Sequence, residues 1–230
     1  MPWWVAAAAL GTVPAPSSDR HATGTAHHTH HVGSVPMPRQ IFRYDPPERL
    51  VVGTVGQPGD RTFFLQARGS GQLTSVVLEK VQVAVLAERL DELLDELLRE
   101  SGGMASVPAV APRELEDTAP LDQPIIEEFR VGALGLGWDP ETELVVIEAQ
   151  AITDATGTDP DAEDDPALLS DDDAEGPDLL RVRITGAVAR AFTKRAYAIV
   201  AAGRPPCQFC GQPLDPENHV CARANGHHPH

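Results

Sequence analysis

The sequence predicts an α+β fold, in which two repeated units of strands followed by a helix form an antiparallel sheet packed against two helices. A small zinc knuckle is expected at the C-terminus. Three observations lead to this prediction: short segments alternate apolar and polar residues, a leucine-rich segment has helical spacing, and the same order of segments recurs in the second half. With 230 residues, 42% of them hydrophobic, the chain has enough apolar material for one domain of ordinary size.

The first unit opens with segments that are typical of strands. QIFRY and LVVGTV are separated by DPPE, whose two prolines prevent continuation of a hydrogen-bonded ladder. RTFFLQAR alternates with the period of a strand, and GSGQ makes a hairpin turn into LTSVVLE. We therefore expect four strands before the first helix.

From Lys80 onward, apolar residues recur at intervals of three and four. This spacing places five leucines on one face of an amphipathic helix: Leu86, Leu90, Leu93, Leu94 and Leu97. The helix breaker SGG at residues 101–103 then ends the periodic segment.

The second half of the chain repeats the pattern of the first. GTVG followed by Asp60 corresponds to GALG followed by Asp139, and the strands FFLQA and VVIEA come next in each half. The helical segments also align, which sets Arg89 against Arg195. Three matches in the same order predict a duplicated unit. The predicted boundaries are 39–103 for repeat one and 124–203 for repeat two, within a domain spanning 37–203.

Residues 1–36 precede this domain and have no periodicity. They include the histidine-rich HATGTAHHTHH, and such a tract is weak evidence for a metal site. We interpret residues 1–36 as a disordered or spurious N-terminal extension, with Met37 as the true start of the protein.

Most of the negative charge lies in one insertion of the second repeat. The formal net charge is −16, and residues 154–178 carry eleven Asp or Glu with no Lys or Arg. Self-repulsion and low hydrophobicity predict that this acidic insertion is disordered. An acidic chain repels nucleic acid and anionic membranes, so neither is an expected partner. No apolar run is long enough to cross a bilayer.

The C-terminal tail, residues 204–230, carries the most specific chemistry. Cys207 and Cys210 have the Cys-x-x-Cys spacing that grips one side of a zinc ion, and His219 and Cys221 complete a Cys3His set. Four protein ligands leave no position for substrate or water, so we expect the zinc to be structural. His227, His228 or His230 could replace His219 as the fourth ligand.

Other interpretations of this tail remain open. A redox pair would be expected at the start of a helix, whereas these cysteines follow GRPP and precede glycine and proline. A structural disulfide needs an oxidising compartment and leaves one cysteine over. Weak nucleic-acid contact through the zinc knuckle would rest on Phe209, Arg204 and Arg223 alone.

The body of the chain offers little for catalysis. Every histidine lies at residues 21–31 or 219–230, so the domain contains no histidine to act as a general base. We therefore expect a non-enzymatic interaction or adaptor protein with an unidentified protein partner, and homo-oligomerisation is left open. The alternative is an enzyme acting on a phosphorylated small molecule, with a site in the cleft between the repeats. Its candidate residues are Asp60, Arg61, Glu79 and Lys80.

Several motifs resemble a known family. RYDPP, GTVGQPGDRTFFLQARG, LEKVQV before the leucine-rich helix, and GRPPCQFCGQPLDPENHVCARANG are similar to an actinobacterial family of two-repeat proteins with a C-terminal Cys-x-x-Cys tail. That family is a domain of unknown function, and the resemblance covers residues 37–226. It implies the architecture and a cytoplasmic setting, and it implies no activity. Residues 1–36 and the long acidic insertion depart from the family pattern.

Overall fold

The computed structural model describes residues 39–101, 106–152 and 176–203, together with Cys207 and Phe209. The first half contains β1 (Ile41–Tyr44), β2 (Arg49–Val55), β3 (Thr62–Gly69), β4 (Gln72–Leu78) and α1 (Lys80–Glu100). The second half contains a short 3-10 turn (Arg113–Leu115), β5 (Glu127–Asp139), β6 (Leu144–Ala151), β7 (Leu179–Thr185) and α2 (Gly186–Ala201).

The seven strands form one mixed sheet in the order β1-β7-β6-β5-β4-β3-β2. Strands β2 to β4 pair antiparallel, as do strands β5 to β7. However, β4 pairs parallel to β5, and β1 pairs parallel to β7. The predicted α+β class is confirmed, but the prediction of an antiparallel sheet is correct only within each half. Parallel neighbours need a long crossover, and α1 with the segment after it supplies the one between β4 and β5.

Helix α1 begins and ends where the sequence predicts. Its first residue is Lys80, and the side chain of Gln82 accepts a hydrogen bond of 2.8 Å from the backbone N–H of Glu79, the N-cap residue. The five predicted leucines face the sheet, four of them buried and Leu97 half-buried. The change of apolar period at residue 80 therefore located a real boundary.

The sheet is strongly curved. A flat sheet of seven strands would hold its two outer strands about 29 Å apart. However, β1 and β2 are those outer strands and only four residues connect them, so the end of β1 lies within about 18 Å of the start of β2. In agreement, the hydroxyl of Tyr44 in β1 lies 2.8 Å from that of Thr74 in β4. The two edges of the sheet therefore curl towards each other.

The main hydrophobic core lies on the face of the sheet that carries both helices. Alternate residues of every strand contribute to it, together with the inner faces of α1 and α2. Helix α2 contacts β2 at one edge of the sheet and β7 near the other, so the curved sheet wraps around it. A smaller cluster lies on the opposite face: Val51, Phe64, Val77 and Leu121, with Ile125 packed against it.

The segment between α1 and β5 has little regular structure, yet it is fastened at several points. Arg190 of α2 donates to the carbonyl of Pro108 at 3.1 Å, and Lys194 pairs with Glu116 at 2.6 Å. Further along, Leu121 packs so closely over Gly53 that a Cβ on this glycine would lie 2.6 Å from its Cγ. This segment therefore links α2 to the opposite face of the sheet.

Three predicted regions fall largely outside the described residues. These are residues 1–36, most of the acidic insertion at 154–178, and most of the tail after residue 203. The last residues of the insertion are described, and Asp178 accepts a hydrogen bond of 2.8 Å from the backbone of Gln40. Neither helix in the described part of the chain has the length and apolarity needed to span a membrane.

Candidate functional site

A small pocket of about 190 Å³ lies at the junction of the two halves of the sheet. Its walls come from the start of β3, the end of β4, the start of α1 and the first part of β5. Four charged side chains line it: Arg61, Glu79, Lys80 and Arg130. Three of these four are residues that the sequence had suggested for a site between the repeats.

Parallel pairing of β4 with β5 builds this pocket. Val77 of β4 lies in register with Arg130 of β5, and α1 begins three residues after Val77. The arginine of the second half is thereby placed beside the helix start of the first half. Arg61 approaches from the turn before β3, because β3 pairs with the other side of β4.

Glu79 is the one carboxylate in the wall of the pocket. One of its oxygens lies 3.5 Å from a guanidinium nitrogen of Arg130, and both side chains are more than half exposed. Arg130 also lies 3.9 Å from Glu127. Because water screens exposed ion pairs, each of these contacts contributes at most about 1 kcal/mol. A stronger anion could therefore replace Glu79 as the partner of Arg130.

The cationic side chains in the pocket come from three separate segments. The Arg61 guanidinium lies 5.7 Å from the centre of the Phe63 ring, and this cation–π contact helps to orient it. Lys80 is the first residue of α1, where the helix dipole adds positive potential. The first turn of α1 contains no acidic residue, and Glu79, the N-cap residue, is the one carboxylate at the helix start that partly offsets this potential.

Asp60 does not join this group. It is exposed in the turn between β2 and β3, and its backbone N–H donates to the carbonyl of Gln57 at 2.9 Å. Its own carbonyl would lie 2.3 Å from a Cβ on Gly56, which has a φ of +105. Asp60 thus belongs to a glycine-dependent turn, and the structure brings together only three of the four proposed residues.

The exposed face of α1 is negatively charged, in contrast to the pocket at the start of this helix. Burial raises the pKa of Tyr197 in α2 above its ordinary value of 10.0, and nearby carboxylates of α1 add to the effect. These carboxylates are Asp91, Glu88, Glu92 and Asp95. The middle of the exposed face of α1 is therefore acidic, whereas the pocket at the start of α1 is lined by more cationic than anionic side chains.

Two buried polar side chains on the other face of the sheet are structural. Gln66 is 1% exposed, and its amide bonds to Ser75 and to both backbone groups of Asp122. Glu148 is fully buried and accepts a hydrogen bond of 2.6 Å from Arg181. Since buried polar groups need partners, these bonds account for both residues without a ligand.

The predicted zinc ligands lie at the end of the described chain. Cys207 is 6% exposed, whereas Cys210, His219 and Cys221 lie outside the described residues. In the ranges that the structure describes, no three His, Cys, Asp or Glu side chains are grouped so that they could hold a metal ion. The zinc site therefore stays a prediction.

Sequence reasoning missed Arg130. It lies in EEFRVG with no motif around it, and only the parallel pairing of β4 with β5 brings it to Glu79. That pairing was not predicted, because both halves were expected to pair antiparallel throughout. A basic residue at the start of β5 was the only available signal.

Comparison with known proteins assigns a family and no activity. Residues 42–221 match the family described as Protein of unknown function (DUF3090), and this match includes all four predicted zinc ligands. No curated protein matches the sequence. Because the match covers most of the 230 residues, the chain belongs to the DUF3090 family of proteins of unknown function.

Proposed function

We propose that the chain is a non-enzymatic interaction protein whose C-terminal tail holds a structural zinc ion. The ligands would be Cys207, Cys210, His219 and Cys221. The observation that carries this proposal is the extent of the family match, which runs through the tail to Cys221. Thiolate ligands need a reducing compartment, so the proposal places the protein in the cytoplasm.

The burial of Cys207 supports the same proposal. This residue lies six residues after the end of α2 and is 6% exposed. Before that, Gly203 lies beside Lys80, since a Cβ on the glycine would be 4.0 Å from its ammonium group. The zinc knuckle would therefore begin against the domain and present its outer surface to a protein partner.

Metal analysis tests the zinc site. We expect one zinc per chain in protein purified without a histidine tag, because four ligands of this kind form a closed tetrahedral site. Cys210→Ser and Cys221→Ser should each lose most of the metal. His219→Ala should do so only if His227, His228 and His230 cannot substitute.

A shortened protein that lacks residues 1–36 is the matched control, since it removes five histidines and should keep its zinc. A zinc content near zero in the full chain would contradict the proposal. Because Cys207 is buried, Cys207→Ser could lose zinc through unfolding of the domain. Thermal unfolding of this variant should therefore be measured together with its metal content.

We further propose that the domain arose by duplication of one strand-strand-strand-helix unit. Gln66 in β3 lies opposite Ser75, and Glu148 in β6 lies opposite Arg181. Both polar residues are in the middle strand of their half and both are buried. This shared and unusual placement supports the alignment of FFLQA with VVIEA.

A second candidate function is catalysis on a phosphorylated small molecule. The convergence of Arg61, Glu79 and Lys80 on one pocket favours it. Glu79 would be the only carboxylate in the pocket wall able to move a proton. Phosphate release from a panel of phosphate monoesters tests this function, which would be rejected if Glu79→Gln released phosphate at the wild-type rate.

A further inference from the structure

We propose that the pocket lined by Arg61, Lys80 and Arg130 binds the phosphoryl group of a small phosphate monoester. This inference uses the pocket of the second candidate function but requires no reaction there. It concerns a ligand site, and it does not depend on zinc in the tail.

The charge of the pocket favours a dianion. Three cationic side chains and one carboxylate line it, so its wall carries an excess of positive charge in a protein whose net charge is −16. Guanidinium groups present several donors in one plane, which suits phosphate oxygens. The positive end of the 21-residue α1 adds to the same field and is only partly offset by the carboxylate of its N-cap residue, Glu79.

The size of the pocket limits the ligand. Typical small-molecule sites measure about 300–1,000 Å³, and this pocket measures about 190 Å³. It therefore accommodates a phosphoryl group with a few further atoms, whereas the base and sugar of a nucleotide would lie outside it.

Glu79 sets the affinity of the pocket. In the structure it lies 3.5 Å from Arg130, so a phosphate that binds Arg130 must displace or repel this carboxylate. Neutralising Glu79 should therefore tighten phosphate binding, whereas neutralising a cation should weaken it. Opposite effects from two neighbouring residues distinguish a ligand site from a general loss of structure.

The test is a titration of the full chain with inorganic phosphate. Changes in the backbone amide NMR chemical shifts report the binding. We expect saturable shifts at the start of α1 and in β5 near Arg130. Lys80→Gln and Arg130→Gln should each weaken binding about five-fold, and Glu79→Gln should tighten it by a similar factor, as one charge at contact distance predicts. In the same titration with a simple phosphate monoester, affinity should rise as pH increases through about 6, where the monoester loses its second proton and becomes a dianion.

Two matched variants control for net charge. Arg99→Gln and Glu96→Gln change the charge of exposed residues at the far end of α1, and neither should alter phosphate affinity. Equal weakening by Arg99→Gln and Arg130→Gln, or shifts that do not saturate, would overturn the inference. Saturable binding of phosphate monoesters without phosphate release would support the inference and reject the second candidate function.

Discussion

Asp117 anchors the segment between α1 and β5 through ion pairs with two arginines. Its carboxylate lies 2.6 Å from Arg49 of β2 and 3.0 Å from Arg195 of α2. The hydrogen bond from Arg49 holds the pKa of Asp117 below its ordinary value of 3.8. No local pattern predicted this cluster, because its members lie on three separate segments of the chain.

We expect Asp117→Asn to lower the free energy of unfolding by about 2 kcal/mol at pH 7, since two partly buried guanidinium groups lose a charged acceptor. The depressed pKa adds a pH dependence with a definite sign. The stabilisation is fully present above pH 3.8 and is lost as pH falls through the lower pKa of the folded protein. Urea unfolding between pH 7 and pH 2 measures both effects.

The variant should therefore approach the wild-type stability at the acid end of this series. An exposed residue, Glu96, provides the control, because Glu96→Gln should change stability by about 0.5 kcal/mol or less. A constant difference between wild type and Asp117→Asn at every pH would argue against the electrostatic origin of the effect.

At the scale of elements, α2 protects an edge of the sheet. An outer strand presents unpaired backbone groups that can pair with another chain. Here Arg195 donates to the carbonyl of Val52 in β2 at 2.7 Å, and also to the carbonyls of Asp117 and Ala119. One side chain of α2 thus covers the edge strand and holds the segment that crosses it.

Arg195→Gln should destabilise the domain by about 2–4 kcal/mol and promote aggregation, because it removes these bonds from a partly buried side chain. Arg195→Lys should recover little, since an ammonium group cannot reproduce the planar set of donors. Thermal unfolding with light scattering measures both properties.

The residue of α1 that aligns with Arg195 in the proposed duplication gives a matched control. Arg89 is half-exposed and forms a surface pair of 2.9 Å with Glu92, so Arg89→Gln should change stability by about 0.5 kcal/mol or less. Similar losses of stability in Arg89→Gln and Arg195→Gln would show that the contact of Arg195 with the edge strand does not contribute specifically to stability.

At the scale of the molecule, the acidic insertion joins strands that are already neighbours. Gln150 of β6 pairs with Leu179 of β7, and the N–H of Ala151 donates to the carbonyl of Asp178 at 2.8 Å. The two ends of the insertion are therefore close in space, and the pairing of β6 with β7 needs only a short connection.

Replacing residues 153–175 with a short glycine-serine turn should preserve the fold. A shorter loop lowers the entropy cost of closure by about 1 kcal/mol, so Tm should stay constant or rise by about 2–4 °C. The replacement removes ten acidic residues and no basic one, so solubility near neutral pH should fall. Calorimetry and a solubility curve test this, and a marked drop in Tm would mean that the insertion stabilises the domain.

Local patterns predicted most of the elements. The apolar alternation predicted strands β1 to β4, and the leucine spacing predicted α1 with its start at Lys80. Those features depend on neighbours within about ten positions, which a sequence displays directly. The parallel pairing of β4 with β5 was missed, because residues that are far apart in the chain create it.

The sequence by itself determined the class of the fold, the position of α1, the acidic character of the protein and the proposed ligands in its tail. Only the tertiary structure decided that the sheet is mixed and curved, that Arg130 reaches Glu79, and that Asp60 stays outside the pocket. The physical reason is that periodicity reports which face of an element is apolar. The pairing of strands, in contrast, depends on packing around a shared core between residues that are distant in the sequence.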